Sequence, residues 1–256
     1  MTRRPDETVA MRSRIRPDCS VDVRTLKFAR CASSAGLYAL LLTSAIAASG
    51  QLGFSRDVTP GLVAHYMGQF GPSAKKRLEG WKEFVRKIDG RTEPARTSSN
   101  EVELLHPVNR FFNGLPYFSD LAHWGVEDYW ATPSEFLSSE GGDCEDYVIA
   151  KYYTLRELGI PNERLRLVYA NTWRSAAGHM VLAYYPSPRA DPLILDTFSG
   201  SIQLASSRPD LEPVFTFNDD DRTVAGKGAM GYEVNGSTVR QWRDLTEKLE
   251  RELTYR

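Results

Sequence analysis

Cys144 stands between acids in Gly141-Gly142-Asp143-Cys144-Glu145-Asp146, directly ahead of a helical pattern. A glycine pair that runs into a helix exposes the first helical residue. A thiol placed there feels the positive end of the helix, which lowers its pKa and favours the thiolate. A thiol protease needs two further groups: an imidazole within hydrogen-bond reach, and a carboxylate or amide that orients it. The histidines are His65, His106, His123 and His179. Only His179 stands at the edge of an alternating segment that follows the cysteine helix, with His123 the next candidate. Asp196 closes the short apolar run Leu193-Ile194-Leu195 that comes after it. Adjacent antiparallel strands place His179 and Asp196 side by side, and a helix packed on that sheet delivers Cys144 to the imidazole. The plainer alternatives are a buried structural cysteine and a packing histidine. The acids flanking Cys144 argue against the first.

Those acids pose a problem of their own. Asp143, Glu145 and Asp146 put three carboxylates around the thiol within four residues, and unneutralised they raise its pKa. A hard divalent cation such as Ca²⁺ takes oxygen ligands, so it would remove that penalty and fix the turn. The structural alternative is that Asp143 only caps the helix while Glu145 and Asp146 favour its dipole. The two roles are compatible. The sequence holds no His/Cys cluster suited to a transition metal.

The elements that must position these residues are read in chain order. Pro60 opens a short helix within residues 54–70. Ala74, Leu78, Trp81, Phe84, Val85 and Ile88 form one face of an amphipathic helix closed by Gly90, with Lys75, Lys76, Arg77, Lys82, Arg86 and Lys87 on a solvated face. Residues 89–100 are a polar loop. Asn100 and Glu103 make a capping box for the next helix, which Pro107 is expected to kink or restart before the Asn113-Gly114 turn. The aromatic stretch Leu115 to Trp130 reads as core, with a minority of its rings lining a substrate groove. Thr132-Pro133-Ser134-Glu135 opens a short helix to Ser139. The cysteine helix runs from Cys144 to Leu158, stopped by Gly159. Alternation then predicts strands over 164–169, 179–185, 193–196 and 214–217, with 171–178 a connection. The tail, Ser237 to Arg256, is amphipathic through Val239, Trp242, Leu245, Leu249 and Leu253. Helices followed by antiparallel strands make an α+β fold.

The first 30 residues are basic, and Ala35 to Ala47 is an apolar run ending in Ala45-Ile46-Ala47. Basic region, short apolar core and small-residue exit describe a secretory signal peptide over 1–47. Its core falls short of the roughly 20 residues of a membrane span, which makes an uncleaved anchor the lesser reading. Residues 48–256 then form a single domain. Cys19 and Cys31 fall in the leader, leaving Cys144 as the one cysteine of an exported chain. Residues 1–47 also hold eight of the 32 Lys and Arg but only four of the 33 Asp and Glu. The remainder is mildly acidic and has no electrostatic reason to seek nucleic acid.

The order of Cys on a helix, then His and Asp on successive strands, resembles that of the papain-like transglutaminase core. The local blocks are more specific. They are Trp124-Gly125-x-x-Asp128-Tyr129-Trp130-Ala131-Thr132-Pro133-x-Glu135-Phe136-Leu137, then Gly142-Asp143-Cys144-Glu145-Asp146, Gly178-His179-Met180-Val181-Leu182 and Leu193-Ile194-Leu195-Asp196. Together with Val108-Asn109-x-Phe111-Phe112-Asn113, they resemble the bacterial transglutaminase-like cysteine proteinases over roughly residues 60–200. The resemblance implies a helical N-terminal lobe packed on an antiparallel sheet and a triad of Cys144, His179 and Asp196. It implies Ca²⁺ held by Asp143, Glu145 and Asp146 beside the nucleophile. It further implies a periplasmic endopeptidase that cuts the N-terminal region of a large biofilm adhesin at a di-alanine type sequence. Its activity would be controlled by a LapD-like inner-membrane receptor that senses cyclic di-GMP and sequesters the protease. Two alternatives keep the same residues: acyl transfer to an amine, as in a true transglutaminase, and a non-catalytic binding module.

Overall fold

Thr59 starts the first helix, α1 (Pro60–Phe70). Its Oγ1 accepts the Leu62 N–H at 3.1 Å while Pro60 occupies the first turn, where no amide is needed. The computed structural model describes residues 55–89, 98–219 and 236–255. The expected signal segment, with Cys19 and Cys31, lies outside them, as does most of the expected loop over 89–100. Helix α2 (Ser73–Asp89) buries Ala74, Leu78, Trp81, Val85 and Ile88, the face its spacing predicts. Its cations are exposed except Arg77, which turns inward to donate to the carbonyls of Leu137 and Ser138.

Helix α3 (Ser98–Asn113) corrects one expectation and the restart half of another. Asn100 lies inside the helix rather than capping it, and Pro107 neither restarts nor ends it. Proline removes one amide, and the carbonyl it leaves belongs to Glu103, an exposed residue, where an unpaired carbonyl costs little. Two short helices follow, α4 (Asp120–His123) and α5 (Pro133–Ser138). The capping box of α5 is present: Thr132 Oγ1 accepts from Glu135 N–H at 3.0 Å and Glu135 Oε2 accepts from Thr132 N–H at 2.9 Å. Helix α6 (Cys144–Glu157) is buried on every side from Asp146 to Leu155, which makes it the central helix of the domain. Gly159, at φ +87°, turns the chain out of it.

The sheet runs β4-β3-β2-β1-β5 and is antiparallel throughout: β1 (Leu165–Thr172), β2 (Ser175–Tyr184), β3 (Leu193–Leu195), β4 (Gln203–Leu204) and β5 (Leu211–Phe217). β1 and β2 form a long hairpin turning at Trp173-Arg174, so residues 171–178 are mostly strand rather than connection. His179 therefore sits inside β2, not at its start. The segment carries too few large apolar residues for alternation to show, and Gly178 lies where a Cβ would meet Tyr169 Oη at 2.2 Å. β5 begins three residues earlier than its apolar pattern and includes Pro213, which an edge strand tolerates. Helix α6 packs on the face of β1 and β2, and Trp81 of α2 donates to Thr154 Oγ1 at 3.0 Å from the other side. The last helix, α7 (Gly236–Glu252), buries Trp242, Leu245 and Leu249. Leu253, predicted on the same face, is 38% exposed because the helix has ended before it. The side chain of Val239 lies outside the described residues. Among those residues no helix is long and apolar enough to cross a membrane.

Candidate active site

The turn before α6 is fixed by close approach. A Cβ on Gly141 would lie 2.1 Å from the Pro116 carbonyl oxygen, and one on Gly142 would lie 2.0 Å from Asp146 Oδ2. The Phe118 N–H donates to the Gly142 carbonyl at 2.9 Å, pinning the turn from outside. Glu140 adopts φ +81°, a conformation costly for a residue with a Cβ, and its carboxylate pairs with Arg77 at 2.6 Å. Gly142→Ala is expected to displace Asp146 and lose about 1–3 kcal/mol, or about 2–4 °C of Tm per kcal/mol. Gly80→Ala on α2, where nothing lies within 4 Å, is the matched control, since alanine favours the helix. A Gly142→Ala protein that melts with the parent would refute the packing requirement.

Cys144 is the first residue of α6 and is partly buried. Its Sγ donates to Glu145 Oε2 at 3.1 Å, and the Met180 backbone N–H also faces the sulfur, which places the thiol against β2 beside His179. His179 and Asp196 are fully buried, and His179 Nε2 lies 2.6 Å from Asp196 Oδ1. The Phe198 ring stacks on the imidazole at 4.0 Å between centroids and 7° between planes, fixing its orientation. With Nε2 committed to Asp196, Nδ1 remains buried without a hydrogen-bond partner. Burial opposes ionisation of Asp196. The bond and charge of His179, the Phe198 N–H and Arg208 outweigh it and hold the carboxyl at about 2. The structure thus joins His179 to Asp196 and sets Cys144 against the backbone of Met180, the residue that follows His179 on β2. The other histidines have different surroundings: His65 stacks on Tyr255 at 4.2 Å, and His123 on Phe118 at 4.8 Å with its Nε2 buried and unpartnered.

The thiol differs from its sequence expectation. Burial first, then the charges of Glu145 and Asp143, push its pKa well up, outweighing the helix terminus. The acids themselves are crowded. Burial and neighbouring carboxylates raise Asp143 to about 9, and Glu145 and Asp120 to about 7. Asp146 is raised well above its ordinary value for the same two reasons. Carboxylate oxygens of Asp120, Asp143 and Asp146 lie within 4.8 Å of one another, as do those of Asp120, Asp128 and Glu145. Asp120 Oδ1 and Asp143 Oδ1 are buried with no partner. Asp146 is the exception among the expected ligands: its two oxygens already accept the backbone N–H groups of Ala131 and Asp143, at 2.7 and 3.3 Å. Buried, unpaired carboxylate oxygens converging on one point suit a hard cation such as Ca²⁺. Asp120 and Asp128 escape a reading by spacing because they arrive from the loop and short helix around α4; the Trp124 to Trp130 block was the available signal.

Lys151, two turns along α6 from Cys144, was also missed. It is fully buried, with Nζ 5.7 Å from the Tyr147 ring and no hydrogen-bond partner. Burial lowers its pKa to about 7 although the charge of Asp196 pulls the other way.

With this geometry established, the family model described as bacterial transglutaminase-like cysteine proteinase matches residues 81–209. Among solved structures, Legionella pneumophila LapG is 32% identical, covers 73% of this chain and 95% of its own, and gives a TM-score of 0.56. Its calcium-bound form is 33% identical, with coverage of 73% and 97% and a TM-score of 0.57. Its EGTA-treated form is 32% identical, with coverage of 73% and 95% and a TM-score of 0.57. A comparison with curated protein sequences gives no match.

Proposed function

The chain belongs to the bacterial transglutaminase-like cysteine proteinase family, and we propose that it is a LapG-type, calcium-dependent endopeptidase of the periplasm. Its substrate is the N-terminal region of a large biofilm adhesin, cut at a small-residue sequence. An inner-membrane receptor that responds to cyclic di-GMP restrains it. The observation that carries the catalytic part is the buried His179–Asp196 pair with Nδ1 left open beside the Cys144 face of β2. The basic leader and apolar run support export. The likeness to LapG supports the adhesin and receptor assignments.

In the reaction, His179 Nδ1 takes the proton from Cys144 Sγ, and Asp196 holds the ring through Nε2 and stabilises the imidazolium. The thiolate attacks the scissile carbonyl, and backbone N–H groups around Cys144 receive the oxyanion. The imidazolium then protonates the leaving amine, and His179 deprotonates the water that hydrolyses the thioester. Asp120, Asp128, Asp143 and Glu145 would hold the calcium ion, with Asp146 fixing the turn behind them. When bound, the ion supplies positive charge that offsets the carboxylates beside the thiol.

The test is incubation of the protein, with calcium, with the N-terminal region of a large exported adhesin from the same cell. A single cut at a small-residue pair is expected. An intact substrate, or incorporation of a labelled amine in place of hydrolysis, overturns the endopeptidase reading; the second result makes the protein a transglutaminase.

A further inference from the structure

The polar network behind the imidazole continues past Asp196. Oδ1 of Asp196 accepts from His179 Nε2 at 2.6 Å and from the Phe198 N–H at 2.9 Å. Oδ2 accepts from Arg208 Nη2 at 2.7 Å. Both oxygens are therefore pinned, and the carboxylate cannot rotate away from the ring. Arg208 is itself held by Asp210, through Nε to Oδ1 at 2.8 Å and Nη2 to Oδ2 at 2.7 Å. A planar guanidinium gripped by two contacts keeps one direction, which a lysine could not reproduce. Arg208 leads out of a 3-10 turn (Ala205–Ser207) into β5: its N–H donates to the Ala205 carbonyl, and its carbonyl accepts from the Leu211 N–H. Asp196 is 0%, Arg208 5% and Asp210 9% exposed, so their charges act in poorly screened surroundings.

We propose that Arg208 and Asp210 are positioning residues of the triad: Arg208 fixes the rotamer of Asp196, and Asp210 restores the negative charge that Arg208 would otherwise cancel. This rests on reading His179 as the catalytic base. The charge count carries the second half. Asp196 and Arg208 alone form a neutral pair, which does little for an imidazolium. With Asp210 added, the group behind the ring carries one net negative charge, and protonation of His179 brings the cluster to neutrality. Without the Asp210 charge the group behind the ring is neutral and favours the imidazolium less. Other charged or titratable groups around this network are Lys151 of α6, whose charge couples to Asp196, Cys144 with Glu145 at the start of α6, Tyr169 of β1, which couples to both of those, and Arg174, which lies 5.6 Å over the Phe198 ring. All of them stay constant across the variants below.

The experiment is NMR titration of the ¹⁵N-labelled His179 imidazole in the Cys144→Ala protein with calcium present, which isolates the ring from the thiol. Asp210→Asn is expected to lower the His179 pKa and Arg208→Gln to raise it, each by about one unit or more. The double variant is expected to return it toward the parent value. A merely structural role would not produce shifts of opposite sign that cancel. In the protein that retains Cys144, both single variants lower kcat, about tenfold or more, with KM little changed, because neither residue is placed to meet substrate. An unmoved His179 pKa in Asp210→Asn, or shifts of the same sign in both single variants, overturns the proposal. If Arg208→Gln does not fold, the Asp210→Asn titration decides alone. If the parent protein cuts no adhesin while these titrations behave as stated, the proposed function fails and the support network stands.

Discussion

Cys144→Ala is expected to give a folded protein whose peptide cleavage falls by roughly 10⁴–10⁶-fold, the range seen when a hydrolase loses its nucleophile. The thiol is the only group at the end of α6 able to form a covalent acyl intermediate, and Cys144 is the only cysteine among the described residues. Folding should survive, because Cys144 is only partly buried and its polar contacts are weak ones, a thiol bond to the neighbouring Glu145 and the Met180 backbone N–H. The melting temperature is therefore expected to stay within a few degrees of the parent: with its pKa pushed up, the thiol is neutral in the folded protein and its removal takes away no charge. Cleavage is followed on a gel against time, with melting curves as the folding control. Residual cutting above about one part in a hundred would transfer the nucleophile's role elsewhere and sink the mechanism.

How much of this was legible in the chain depends on the range of the interaction that matters. Cys144 declares itself because the Gly141-Gly142 turn, the cap and the acids are local, within one turn of helix. His179 and Asp196 are legible as a pair because alternation places them on neighbouring strands, although the strand around His179 starts earlier than its apolar residues do. Helix α2 is legible because one face is buried and the other wet. Helix α6 shows almost no amphipathic pattern, since it is buried all round, and only its ends mark it in the sequence. The supporting residues could not be read. Arg208 and Asp210 reach Asp196 only through the fold, as do Asp120 and Asp128 at the acid cluster. No spacing rule encodes contacts made by loops that meet across the top of a sheet. Asp146 carries a second task that its position alone does not reveal: its oxygens accept the backbone N–H groups of Ala131 and Asp143 while standing within the acid cluster.

Stripping calcium with EGTA is expected to lower both turnover and Tm, and to lower Tm more at high pH than at low pH. The sign follows from the acid cluster. In the folded chain without a cation, Asp143 is raised to about 9 and Asp120 and Glu145 to about 7, whereas an unfolded carboxyl titrates near 4. The folded state therefore binds more protons than the unfolded one across that interval. The contribution of these three groups is fully present below about pH 4 and is lost as pH rises through the folded values. Calcium replaces those protons and should flatten the dependence. The same exchange makes its own affinity fall as pH falls, because binding must expel protons. A hundredfold excess over Kd contributes about 2.7 kcal/mol, which at about 2–4 °C per kcal/mol gives a Tm difference of about 5–10 °C. Asp128→Ala separates the residues that a reading by spacing missed from those it found: Asp128 is exposed and outside the helix cap, so its loss should weaken the calcium response, while in the calcium-free protein it takes a like charge away from Asp120 and Asp143. Melting curves that coincide at pH 8 with and without EGTA, or an Asp128→Ala protein that responds to calcium like the parent, would remove the cation from this site and leave the acids as caps alone.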